Sequence, residues 1–235
     1  MAKFSRLETL TVMLEIGLIP VFHHSDSETA RKIVQACADG GARIIEFTNR
    51  GDLAWRVFCD LIEYVDNKRP EVILGAGSVI DAQTASLYIN SGANFIVGPS
   101  LNPEAARVCN RRKIPYLPGC GTVTEISRAE ELGAEIVKIF PGGLLGGPAF
   151  VQAVLGPMPW TRIMPTGGVA PTKESIEAWI KAGAACLGMG SNLIRRDWIK
   201  RNDWTALTQS VANGVDFVRK ARQDSTTLDE KQTQA

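Results

Sequence analysis

The chain has 235 residues, which is enough for one large core and close to the usual length of a single α/β barrel. Charged residues make up 22% of the sequence and sum to a net charge of +1, so composition favours neither nucleic acid nor membrane as a partner. The five cysteines are scattered, form no CxxC pair and follow no secretory signal, which predicts free thiols in a cytoplasmic protein.

The first predicted element is a helix, because Leu7, Leu10 and Leu14 recur at helical spacing and Gly17 follows them. Short apolar runs then alternate with longer amphipathic stretches. The runs predicted as strands are, in chain order, LIPVFHH, RIIEFTN, VILGAGSV, NFIVGPS, PYLPGCG, EIVKIF, RIMPTGG and ACLGMGS. Four of the helices between them are predicted to end in the phrases DGGA, NSGA, ELGA and KAGA, whose glycines can adopt the left-handed conformation.

These elements amount to about eight β/α units, and strands that alternate with helices pair in parallel through right-handed crossovers. The sequence therefore predicts the α/β class and a closed (β/α)8 TIM barrel over residues 1–195 that includes the N-terminal helix. A doubly wound open sheet is the alternative. Residues 196–235 are predicted to form a C-terminal helix and a polar tail packed on the same domain.

One lysine, Lys138, interrupts the apolar run EIVKIF. A buried ammonium is costly unless it is paired or gives up its proton, so Lys138 is either an ion-paired or snorkelling core residue or an amine with a lowered pKa. Active sites of such barrels lie at the C-terminal ends of the strands, where Glu46 and Arg50 also fall. Desolvation and the charge of Arg50 would lower the pKa of Lys138 and leave an amine that can attack a ketone as a Schiff-base nucleophile.

Glu46 and Arg50 each have a structural and a functional interpretation. Glu46 either pairs with a neighbouring cation or acts as a general acid and base beside the imine, and between two cations it is expected to stay ionised. Arg50 either forms a surface salt bridge or binds a carboxylate with its planar fork.

Glycine-rich loops end the last two predicted strands, in PTGG and GMGS. Tight turns need glycine in any case, but loops after strands seven and eight are also the usual phosphate site of barrels, because backbone N–H groups can approach an anion there. The candidate phosphate-binding residues of these loops are the glycines Gly167, Gly168 and Gly190.

The only histidines, His23 and His24, are adjacent at the end of the first predicted strand. Adjacent strand residues point to opposite faces, so the two can hardly bind one metal ion. The sequence predicts no metal site and no cofactor, and a rim or packing role for the histidines.

The segments GGARIIEFTNR, IPYLPGCGTVTEI, VKIFPGG, MPTGGV and CLGMGSNL follow one another between roughly residues 10 and 195. In this order they resemble the 2-keto-3-deoxy-6-phosphogluconate / 4-hydroxy-2-oxoglutarate aldolases. The resemblance implies a metal-free class I aldolase on a (β/α)8 barrel, assembled as a homotrimer. It also implies a small-molecule substrate, a phosphorylated keto-deoxy sugar acid that is split into pyruvate and glyceraldehyde 3-phosphate.

Residue by residue, the resemblance implies that Lys138 is the Schiff-base lysine, Glu46 the proton-shuttling glutamate and Arg50 the arginine on the pyruvyl carboxylate. Thr166 matches directly and Ser78 falls where threonine is more typical; both are implied to hold the same carboxylate. The phosphate-binding positions match Gly167, Gly168 and Ser191.

Two departures, EFTNRG for the commoner EVTLRT and KIFPGG for KFFPAE, alter the rim of the pocket and leave the substrate open. The alternatives are an aldolase for the phosphogalactonate epimer, one for unphosphorylated 4-hydroxy-2-oxoglutarate, which would yield pyruvate and glyoxylate, and a catalytically silent barrel that binds a sugar acid.

Overall fold

The computed structural model describes residues 2–233, with side chains for residues 2–224. Within these residues the strands are β1 (Leu18–Phe22), β2 (Ile44–Thr48), β3 (Ile73–Gly77), β4 (Ile96–Val97), β5 (Tyr116–Leu117), β6 (Gly119–Cys120), β7 (Val137–Ile139), β8 (Ile163–Pro165) and β9 (Leu187–Met189). The helices are α1 (Arg6–Ile16), α2 (Ser27–Asp39), α3 (Ala54–Lys68), α4 (Ala82–Asn90), α5 (Pro103–Arg112), α6 (Val123–Glu131), α7 (Pro148–Leu155), α8 (Lys173–Lys181), α9 (Arg196–Lys200) and α10 (Trp204–Thr233).

The strands close into a parallel barrel. Neighbouring strands pair in the order β5-β4-β3-β2-β1-β9 and in the order β6-β7-β8. Only Pro118 separates β5 from β6, and proline lacks the N–H donor that a ladder needs, so these two segments form one barrel strand. A parallel bridge between Thr166 and Gly188 joins the end of β8 to the middle of β9. The predicted (β/α)8 barrel is confirmed, and the open-sheet alternative is wrong.

Local sequence signals set the ends of the helices. Ser5 and Glu8 form a capping box at the start of α1, and Gly17 ends that helix with a φ of 68°. In each of the four recurring phrases the glycine directly before the alanine has a φ between 85° and 98°, as predicted: Gly41, Gly92, Gly133 and Gly183.

The barrel interior has an apolar layer that rests on α1 and a polar layer above it. The apolar layer includes Ile19, Ile44, Ile73, Ile136, Met164 and Cys186, which form one buried cluster with Leu10 and Met13 of α1. Because side chains alternate along a strand, the residue two positions further on points to the same face. Glu46, Lys138 and Thr166 occupy those positions after Ile44, Ile136 and Met164. Strand periodicity therefore brings these three polar residues into one interior layer near the C-terminal ends of the strands.

The C-terminal segment packs on the barrel through α10, which contacts α2 and α8. From α10, the Arg222 guanidinium donates hydrogen bonds of 2.6 Å to the carbonyl oxygens of Leu14 and Ala185. The backbone of the predicted polar tail is helical as far as Thr233, whereas the packing of the tail after residue 224 lies outside the described side chains. The domain boundary at residue 195 stays a prediction. Among the described residues, no helix combines the length and the apolar character needed to span a bilayer.

Candidate active site

A cavity of about 310 Å³ lies at the C-terminal ends of the strands. Its lining comes from the residues at the ends of β1, β2, β7, β8 and β9 and from the segment that begins α9. Six of the seven predicted substrate-binding residues line it: Arg50, Thr166, Gly167, Gly168, Gly190 and Ser191. Barrel closure thus brings together residues that are separated by more than a hundred positions in the chain.

Lys138 is buried in the wall of the barrel, with 6% of its surface exposed. On β7 it pairs with Gly119 of β6 and Met164 of β8. Its Nζ lies 4.9 Å from the ring centroid of Phe140, and that ring lines the cavity. Burial lowers the pKa of Lys138, and the charge of Arg50 acts in the same direction while Glu46 opposes it. The environment therefore favours the neutral amine, which is the nucleophilic form.

Glu46 is 1% exposed, and neither of its carboxylate oxygens has a hydrogen-bond partner among the described residues. The ion pair that sequence reasoning allowed as its structural role does not form within the described side chains. Burial raises the pKa of Glu46, although the charges of Lys138 and Arg50 act against the rise. The protonated form of Glu46 is therefore favoured more than the sequence predicted, since the carboxylate was expected to stay ionised between two cations. Burial shifts both partners toward their neutral forms, so the two pKa directions agree with each other.

Gly77 provides the space that the Glu46 carboxylate occupies. A Cβ atom at position 77 would lie 2.5 Å from Cδ and 2.8 Å from Cγ of Glu46, inside ordinary contact distance. The next residue, Ser78, has a φ of 57°, is half-buried, and is the one predicted ligand-binding residue that does not line the cavity.

The loops after β7 and β8 are held together through their backbones. Gly143 donates a hydrogen bond of 2.8 Å to the Gly167 carbonyl oxygen, and Gly142 donates one of 2.9 Å to that of Thr166. A Cβ atom at Gly168 would lie 2.6 Å from the Cα of Gly143. Gly143 of KIFPGG therefore has a packing reason, because its own Cβ atom would lie 3.0 Å from the Cα of Gly168, closer than ordinary van der Waals contact.

Thr166 belongs to the polar interior layer of the barrel, and its hydroxyl has no hydrogen-bond partner among the described residues. Its Oγ1 is buried and makes no hydrogen bond among the described residues. Its backbone is fixed, since its N–H donates a hydrogen bond of 3.0 Å to the Ile139 carbonyl oxygen. A rigidly placed, unsatisfied hydroxyl beside a cavity is available to a ligand.

Sequence reasoning missed several lining residues, among them Thr48, Asn192 and Arg196. Arg196 follows the last barrel strand in a polar stretch, where nothing local marks it. His23 also lines the cavity, as its predicted rim role requires. Its Nδ1 lies 3.3 Å from the Thr48 carbonyl oxygen, and burial lowers its pKa. In the part of the chain that the structure describes, no group of three or more His, Cys, Asp or Glu side chains is placed to hold a metal ion.

The fold and site define an α/β barrel enzyme with a buried lysine, a buried carboxyl group and glycine-rich loops around one cavity. Comparison with known proteins gives the family. A sequence model for KDPG and KHG aldolases matches residues 10–210. The KHG/KDPG aldolase of Escherichia coli K12 is 30% identical over 199 residues, which cover 85% of this chain and 91% of that protein. The chain belongs to the KDPG and KHG aldolase family, and it is accordingly an aldolase, a lyase that acts on small molecules.

Two further relatives cover nearly the whole barrel. The 2-dehydro-3-deoxy-phosphogluconate aldolase of Haemophilus influenzae is 27% identical over 217 residues, 92% of this chain and all (100%) of that protein. The crystal structure of a KDPG aldolase from Legionella pneumophila, with pyruvate captured as a covalent carbinolamine, has a TM-score of 0.79 and 27% identity. That match covers 87% of this chain and 96% of the other.

Proposed function

We propose that this chain cleaves 2-keto-3-deoxy-6-phosphogluconate to pyruvate and glyceraldehyde 3-phosphate through a Schiff base on Lys138. We propose 4-hydroxy-2-oxoglutarate, which would yield pyruvate and glyoxylate, as a second substrate. The observation that carries the proposal is the buried pair of Lys138, with a lowered pKa, and Glu46, with an unpartnered carboxyl group. Burying two ionisable groups without a direct ion pair costs stability, so a chemical role explains the pair better than packing does. The names of the relatives support the same pair of substrates.

The reaction begins when the neutral amine of Lys138 attacks the C2 carbonyl of the substrate and forms a carbinolamine. Protonated Glu46 donates its proton to the carbinolamine hydroxyl, which leaves as water and gives the iminium ion. The resulting carboxylate accepts the proton of the C4 hydroxyl. The C3–C4 bond then breaks, its electron pair flows into the iminium ion to form an enamine, and the aldehyde leaves. Glu46 returns a proton to C3 and regenerates the iminium ion. Water hydrolyses that ion to pyruvate and the free amine, and the proton released in this step returns to Glu46.

Recognition of the two ends of the substrate is divided between two groups of residues. Arg50 and Thr166 would hold the carboxylate, since the guanidinium lies at the cavity and the Thr166 hydroxyl lacks a partner. Ser78, which does not line the cavity, would also contribute its hydroxyl to binding the carboxylate. The glycine-rich loops would hold the phosphate with their N–H groups, and they contribute Gly167, Gly168, Gly190 and Ser191.

We also propose that the enzyme is a cytoplasmic homotrimer. All five cysteines are free thiols, which suits a reducing compartment. Large apolar side chains such as Leu144, which is 88% exposed, and Trp160 stand at the surface, where a subunit contact would cover them. Light scattering coupled to gel filtration measures the mass of the assembly, and a monomeric mass would contradict the trimer.

The test of the chemistry is intact-mass spectrometry after incubation with pyruvate and borohydride. We expect one pyruvate per chain, mapped to Lys138 by peptide analysis, and no adduct in Lys138→Ala. Glu46→Gln should slow cleavage by about 10²–10⁴-fold. Rates on the gluconate and galactonate epimers then identify the sugar acid. A folded protein that binds the sugar acid, forms no adduct and releases no pyruvate would be the silent barrel instead.

A further inference from the structure

A basic cluster follows the last barrel strand, and only part of it is neutralised. Arg195, Arg196, Lys200 and Arg201 lie in α9 or beside it. Asp197 accepts hydrogen bonds of 2.9 and 3.1 Å from Arg195 and one of 3.1 Å from Arg201. The Asp197 carboxylate therefore pairs with Arg195 and Arg201, and it makes no ion pair with Arg196 or Lys200.

Arg196 is the member of this cluster that faces the active site. Among the described residues its guanidinium has neither a hydrogen bond nor an ion pair. It lines the cavity of the active site and also a more open cavity of about 740 Å³ beside α9. Ser191 and Asn192 line both cavities as well, so the free guanidinium stands where the two meet, next to the loop that follows β9.

The charge of the active-site cavity suits a substrate with two anionic ends. Its lining contains Arg50, Arg196 and His23 but, within the described residues, no Asp or Glu. Arg50 follows β2 and Arg196 follows β9, and β1 pairs with both of these strands. Two strand spacings place the strand ends about 10 Å apart. The two arginines therefore follow strands that are not neighbours, and both line the same cavity.

We propose that Arg196 is a specificity-determining residue that selects substrates with a phosphate at the end distant from the keto acid. The inference rests on the proposed function, in which Arg50 takes the carboxylate. Backbone N–H groups in the glycine loops offer only partial charges to the phosphate. The Arg196 guanidinium offers a full positive charge and a planar fork of donors that matches phosphate oxygens. A sugar acid without the phosphate gains nothing from this group.

The experiment compares 2-keto-3-deoxy-6-phosphogluconate with 2-keto-3-deoxygluconate, which differs only in lacking the phosphate. For Arg196→Met we expect KM for the phosphorylated substrate to rise about 10-fold, with kcat within about twofold. The KM for the unphosphorylated acid should change far less, so the preference for the phosphate falls by about the same 10-fold. Added salt should weaken binding of the phosphorylated substrate more in the wild type than in the variant.

Two further variants separate this role from a general effect of charge. Arg201→Met removes a nearby positive charge that lines neither cavity, and it should leave the preference for the phosphate unchanged. Arg196→Lys keeps the charge and should recover most of the preference. Formation of the pyruvate–borohydride adduct shows that each variant is folded.

The outcomes also separate the inference from the proposed function. If the wild type cleaves neither sugar acid and forms no adduct, the proposed function is wrong. If the wild type prefers the phosphorylated acid and Arg196→Met retains that preference in full, Arg196 is not the selecting residue. An equal loss in Arg196→Met and Arg201→Met would likewise overturn the inference.

Discussion

Replacing Gly77 by alanine adds one methyl group to the barrel interior beside Glu46. The substitution removes no functional group, and position 77 lies in strand β3, whose backbone alanine can adopt. The added Cβ would lie 2.5 Å from Cδ of Glu46, whereas carbon atoms ordinarily approach no closer than about 3.5 Å. The Oε1 atom of Glu46 would lie closer still, so the carboxyl group must move by at least about 1 Å.

A displacement of about 1 Å in a reacting group costs roughly 10²-fold in rate. Because Glu46 is almost completely buried, its carboxyl group has little free space to move into. We therefore expect kcat/KM of Gly77→Ala to fall by about 10²-fold, with about 1–3 kcal/mol lost from the free energy of unfolding through overpacking.

The assay measures pyruvate release, with unfolding in urea followed by circular dichroism. Gly156→Ala is the matched control, because Gly156 has helical φ and ψ of −54° and −61° and a Cβ there would meet no atom nearer than 3.6 Å. If the methyl group acts through Glu46, the double variant Gly77→Ala with Glu46→Gln should be scarcely slower than Glu46→Gln alone. Activity of Gly77→Ala within about threefold of wild type, in folded protein, would refute the reasoning from the measured overlap.

Three further predictions concern the buried charges and α10. Lys138→Met should abolish cleavage yet raise the free energy of unfolding at pH 7 by about 1.4 kcal/mol for each unit by which burial lowers the lysine pKa. This gain should shrink as pH rises toward 10.5, the ordinary lysine value, because the unfolded chain then also loses the proton. Glu46→Gln should be more stable than wild type by an amount that grows as pH rises above 4.5, because folding raises the pKa of Glu46. The difference in stability should level off once pH exceeds the folded pKa. Urea titrations that give a pH-independent difference would contradict this prediction. Arg222→Met should cost about 2–3 kcal/mol in urea unfolding, since the guanidinium bonds the Leu14 and Ala185 carbonyl oxygens, and an unchanged urea midpoint would show these bonds to be dispensable.

Local patterns in the sequence were enough to predict the architecture. Alternation of short apolar runs with amphipathic stretches reflects the different periods of strands and helices, and it predicted the eight barrel units. The left-handed glycines Gly41, Gly92, Gly133 and Gly183 were predictable because the left-handed conformation is a property of single residues. The clustering of Arg50 and Thr166 was predictable because all parallel strands of a barrel end on one face.

The relations between distant residues were not predictable in the same way. The space at Gly77, the close approach of Gly143 to Gly168 and the free guanidinium of Arg196 depend on strand register and barrel closure. A shift of one residue in the register of β3 would by itself turn position 77 to the other face of the strand.

The protonation state of Glu46 separates what the sequence could predict from what only the folded barrel decides. The charges near it could be inferred from strand ends, and Lys138 and Arg50 do act on it as inferred. Burial raises its pKa nonetheless, because desolvation depends on how completely the folded barrel removes water from the carboxyl group. The sequence alone gives the identity and order of the charged residues, whereas the exclusion of water requires the closed barrel. That exclusion favours the neutral forms of Lys138 and Glu46, the forms in which they would meet a substrate.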